Sequence, residues 1–103
     1  MTKKDFQQRK ASIRALYEEG HADTGEVEAL ELVEELHAEK NYSFTVELYH
    51  SPFIDPRKGL WTFEVAFALN EAKHYSDAEQ IYEYLADQEP ENSSVLNNLS
   101  NIK

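Results

Sequence analysis

At 103 residues the chain is one domain's worth of sequence, long enough to bury a core without staples. It has no cysteine, so disulfide frameworks and thiolate metal sites are excluded, and no apolar run approaches the roughly 20 residues of a membrane span. The net charge of −10 is uneven: the first 14 residues carry +4 and the other 89 carry −14, a balance that repels phosphate and excludes nucleic acid from the body of the protein. The N-terminus lacks the apolar core of a secretory signal, so a cytoplasmic protein, or a piece of one, is the expectation.

Residues 3–19 carry Phe6, Ile13, Leu16 and Tyr17 on one side and end at Gly20, the pattern of a helix with a glycine C-cap. Its basic start suits a solvated end rather than a membrane-surface helix, because one bulky apolar residue among the first twelve is too little to insert. Asp23 or Thr24 is the expected cap of a second helix through Lys40, with Val27, Leu30, Leu32, Val33 and Leu36 as its apolar side. Asn41-Tyr42-Ser43 reads as a turn. Phe44, Val46, Leu48 and Tyr49 follow in an alternating pattern that a strand would also show. With no other strand to pair with, the segment is expected to be helix, ended by Pro52.

Asp55-Pro56 is a helix-start signal. The following stretch, Leu60 to Pro90, is the most strongly patterned in the chain. Leu60, Trp61, Phe63, Val65, Ala66, Phe67, Ala68, Leu69 and Ala72 leave almost no polar face, so this helix must be covered on more than one side. After His74-Tyr75, Ser76 and Glu79 have the spacing of a capping box. Ala78, Ile81, Tyr82 and Leu85 then form a single stripe, and Pro90 stops the helix. Asn92 or Ser93 caps a last helix holding Val95, Leu96, Leu99 and Ile102.

Two of these units echo each other. Lys40-Asn41-Tyr42-Ser43 recurs as Lys73-His74-Tyr75-Ser76, and Glu47-Leu48-Tyr49 recurs as Gln80-Ile81-Tyr82, both 33 residues later; Pro56 recurs as Pro90. The second unit reads Thr62-x2-Val65-Ala66-x2-Leu69…Ala78-x3-Tyr82…Pro90, which resembles the tetratricopeptide repeat pattern W-x2-L-G-x2-Y…A-x3-F…P. It departs from that pattern where Thr62 stands for Trp and Leu69 for Tyr. The first unit is looser, with Val33 and Thr45 at the small places. The resemblance implies an all-α fold of about six helices, antiparallel hairpins stacked as a short α-solenoid. Residues 1–25 form a packing helix and linker, 26–58 a degenerate unit, 59–92 a well-formed unit and 93–103 a capping or partial helix.

Such repeats present a concave groove, and the resemblance implies that a protein or peptide binds there. Its residues would be Leu30, Glu34 and His37 of the first unit, Leu60, Phe63, Glu64, Phe67, Asn70 and Glu71 of the second, and Asn97, Asn98 and Asn101 of the last helix. Phe63 and Phe67, at i and i+4, would grip an apolar side chain, and the glutamates favour a basic or amphipathic partner. No groove residue is basic, which excludes the carboxylate clamp that other members of the family use on chaperone tails. The alternative is a structural or assembly piece, such as a homodimer burying Val95, Leu99 and Ile102 of the C-terminal helix.

A third reading comes from spacing. Each histidine follows a glutamate by three residues, at Glu18/His21, Glu34/His37, Glu47/His50 and Glu71/His74, and Glu-x-x-His motifs build metal sites in helix bundles. No two pairs are expected to converge in so short a bundle, so no metal or cofactor is assigned. Only three glycines are present, which excludes a glycine-rich phosphate loop, and no catalytic constellation stands out, so no enzyme activity is expected.

Overall fold

The computed structural model describes residues 1–55, 57 and 59–102. They form six α-helices: α1 (Lys3–Glu18), α2 (Ala22–Ala38), α3 (Tyr42–Tyr49), α4 (Phe63–Glu71), α5 (Tyr75–Gln88) and α6 (Ser93–Ile102). No strand occurs among the described residues, and the FTVELY segment lies inside α3. Consecutive helices pack as antiparallel hairpins, and α2 also packs on α4, so each hairpin rests on the next in a short helical stack.

One turn is used three times. Gly20, Lys40 and Lys73 all lie in the left-handed region, at φ of 85°, 58° and 68°. In each case the following amide reaches back five residues, His21 to the Leu16 carbonyl, Asn41 to Leu36 and His74 to Leu69. The left-handed residue's own amide donates three residues back, to Tyr17, His37 and Asn70. This is a Schellman closure, which satisfies carbonyls the helix end would otherwise orphan. Only the first copy has the glycine that tolerates the conformation freely.

Because this turn sets where the next helix begins, the side-chain caps read from sequence move. α2 starts at Ala22 after His21, which leaves Asp23 and Thr24 inside its first turn. α5 starts at Tyr75 after His74, so Ser76 and Glu79 form no capping box. α3 starts at Tyr42, one residue after the cap Asn41, whose side chain accepts from the Phe44 amide; Tyr42 and Ser43 are helical rather than turn. Asn92 does cap α6, accepting from the Ser94 and Val95 amides.

The start of α4 is later than its apolar run suggests. Thr62 caps it, accepting from the Val65 amide, so Leu60 and Trp61 belong to the preceding connection. At the helix-start signal Asp55-Pro56, the Asp55 carboxylate accepts from the Arg57 amide, and Pro56 lies outside the described residues. The connection is nonetheless anchored, because Ile54 and Leu60 are buried and the Trp61 indole donates to the Tyr49 hydroxyl.

The core runs through all six helices, from Phe6 and Ile13 of α1 to Val95 of α6. Close approach of α1 and α2 depends on Gly25, where a Cβ would come within 2.9 Å of the Tyr17 ring. The basic start of α1 is largely engaged: Arg9 pairs with Glu35 of α2 and Lys10 with Glu47 of α3. The Lys10 and Gln7 hydrogen bonds hold the Glu47 carboxyl below its ordinary range, against a smaller desolvation effect. Charge asymmetry along the chain therefore becomes charge complementarity between helices.

Candidate functional site

The residues expected to form the groove converge in part. His37, near the end of α2, meets Phe67 of α4 edge-on, with ring centroids 5.7 Å apart. Phe67 lies 6.1 Å from Phe63, one turn earlier on the same helix, and Phe63 meets the edge of Tyr82 of α5 at 6.0 Å. Tyr42, from the first turn of α3, closes the group at 5.6 Å from Phe67 and 6.4 Å from His37. The Phe63–Phe67, Phe63–Tyr82 and Tyr42–Phe67 contacts are each worth about 0.5–1.5 kcal/mol beyond area burial, which restrains the rings.

His37, Tyr42, Phe63 and Phe67 are each half-buried. Tyr82 beneath them is fully buried. Its hydroxyl has no hydrogen-bond partner, and burial together with the nearby Glu71 charge pushes its pKa up to about 12. The His37 Nδ1 is likewise buried and unpartnered.

The remaining expected groove residues divide. Glu34 and Glu71 are exposed, Glu64 and Asn70 half-exposed, and Leu30 is half-buried against the core. Leu60 does not belong to the groove: it precedes the Thr62 cap and is 2% exposed, which leaves it no surface to offer a partner. On α6, Asn97 and Asn101 are exposed, whereas the Asn98 amide donates to the Ser94 carbonyl of its own helix. Tyr42 is the strip member that sequence reasoning missed. Its alignment with Tyr75 in the repeat was the available signal, but both were read as turn residues.

Of the four glutamates that precede a histidine by three residues, two pair with other residues. Glu18 bonds Arg14 and Glu47 bonds Lys10 and Gln7. Two of the histidines nevertheless meet, contrary to the expectation from sequence. His50, at the C-terminal cap of α3, and His74, at the N-terminal cap of α5, have ring centroids 5.3 Å apart, and Asp77 lies 3.0 Å from the His50 Nε2.

Searches of family models, of curated proteins and of solved structures return no match to this chain.

Proposed function

We propose that this chain is a non-enzymatic, tetratricopeptide-like interaction module that binds a basic, amphipathic segment of a partner protein in the cell interior. The observation that carries the reading is the half-exposed strip of His37, Phe67 and Phe63 across two packed helices, with Glu34, Glu64 and Glu71 on the same helices. An apolar partner side chain would rest on the ring faces, and Lys or Arg beside it would gain from both the aromatic faces and the carboxylates. Restrained rings lose little side-chain entropy on binding, which favours affinity. No helix among the described residues is long and apolar enough to cross a membrane.

Peptide-display selection against the protein tests this reading. Enrichment of sequences with paired apolar residues and Lys or Arg is expected, and Phe63→Ala with Phe67→Ala should weaken the selected peptides by about 2 kcal/mol or more, as loss of central aromatic anchors does. Selected peptides that bind the double variant undiminished would remove the strip from the account.

A specific feature of α6 favours assembly as the second reading. Leu96 is 40% exposed, and Leu99 and Ile102 are only partly covered. Val95, expected at such an interface, is instead 1% exposed within the protomer and has nothing to give a second copy. Light scattering across a concentration series decides: a dimer lost in Leu96→Glu supports assembly, and a monomer throughout discards it.

A further inference from the structure

The geometry points to a surface site for a borderline divalent transition metal, zinc in type, built from His50, His74 and Asp77. The three donor atoms lie within 4.8 Å of one another. Tetrahedral ligands at zinc bond lengths are separated by about 3.3 Å, and the 3.0 Å between His50 Nε2 and Asp77 Oδ2 is already close to that spacing. His50 and His74 are exposed and Asp77 is half-buried, so an ion can reach all three from solvent.

The donor set is selective. Two imidazoles and one carboxylate suit Zn²⁺ and its first-row neighbours, whereas Mg²⁺ and Ca²⁺ require oxygen ligands and Cu⁺ prefers sulfur. Three protein ligands leave one position open to solvent, the arrangement of zinc sites that exchange their fourth ligand.

Two further observations favour the site over an ordinary His–Asp contact. The His50 ring is supported by the edge of Tyr49, 5.2 Å away, and the Tyr49 hydroxyl is itself held by the Trp61 indole. That contact restrains the ring from its face or edge, in place of the hydrogen bond from the second ring nitrogen that orients many metal-ligating histidines. In addition, His74 occupies the place where Asn41 caps the equivalent helix, yet makes no capping bond. Its imidazole is free for another task. Bound metal would tie the end of α3 to the start of α5, and so one hairpin to the next.

Titration of tag-free, metal-stripped protein with Zn²⁺ by calorimetry, and with Co²⁺ by visible absorption, tests this. The expected result is one saturable equivalent, an intense tetrahedral Co²⁺ spectrum and a raised melting temperature with Zn²⁺. His74→Asn, which places at position 74 the residue already tolerated at 41, should fold and weaken binding by more than the roughly 10- to 100-fold that loss of an outer-shell partner costs, as should Asp77→Asn. His21→Asn, at the matching turn outside the site, should leave binding unchanged. Absence of saturable binding in the folded wild type, or equal affinity in His74→Asn, would overturn the site.

Discussion

The α2–α3 and α4–α5 hairpins close with the same left-handed lysine and the same pair of backbone bonds, yet they divide their length in opposite ways. In the first, a helix of 17 residues is followed by one of 8; in the second, 9 are followed by 14. The long member of the first is extended to receive α1, and the short one stops at the His50 cap just ahead of Pro52. The short member of the second starts late at Thr62, and the long one supports α6. The repeat is thus carried by the turn and the packing around it rather than by helix length. Within the turn itself the two copies differ at the cap: Asn41 bonds its helix, and His74 does not.

The packing of the second hairpin gives the largest test of that comparison. Ala78 is fully buried where the first hairpin has Thr45, so Ala78→Leu should overpack α5 and cost about 1–3 kcal/mol in urea unfolding. Unchanged unfolding would mean that the two hairpins do not share a register.

Tyr82→Phe removes a buried hydroxyl that has no partner and should stabilise the fold by about 1 kcal/mol. The same substitution alters the alkaline limit. Because the Tyr82 pKa is raised to about 12 in the folded chain, the folded state keeps a proton that the unfolded state releases above its ordinary value of 10.0. Stability from this group is fully present below pH 10 and lost as pH rises toward 12. Tyr17 and Tyr49, both raised by burial, act in the same direction, so melts of Tyr82→Phe should show a smaller alkaline decline, not none.

His74→Asn restores at the second turn the cap that the first turn has, and should raise the stability of metal-free protein by about 1 kcal/mol. No gain would indicate that the backbone at 74 cannot direct a cap. The smallest effect is expected at the lysines: Lys73→Gly and Lys40→Gly each relieve a left-handed residue and should add about 0.5 kcal/mol, while Gly20→Ala should destabilise by a similar amount. Thermal melts of the three variants check whether the three turns are equivalent.

Much of the fold was legible in the sequence because it rests on periodicity. The apolar stripes locate the six helices, and the recurrence of Lys40-Asn41-Tyr42 as Lys73-His74-Tyr75 marks two of the turns. Helix starts were misjudged because Asp23, Thr24 and Ser76 have strong capping preferences, whereas a Schellman turn fixes the next helix start through the backbone, and lysine gives no sign of a left-handed conformation. The pairing of Phe63 with Phe67 was legible because both sit on one helix. His37 is also legible, from its place in the repeat alignment, whereas Tyr42 is not, since its contact with Phe67 depends on how α3 packs against α4. Leu60 was placed on a helix that begins three residues later. The meeting of His50 with His74 could not be read from spacing at all, because it arises where the end of one hairpin lies beside the turn of the next.

The His37–Phe67–Phe63 strip is the proposed recognition surface. Amide and aromatic NMR spectra of labelled protein, recorded while a display-selected peptide is added, test it most directly. The expected result is that the largest shifts fall on His37, Phe63 and Phe67 and on Glu34 and Glu64 beside them, with α1 unchanged. A footprint centred on α1 or on the exposed side of α6, with those rings unmoved, would contradict it.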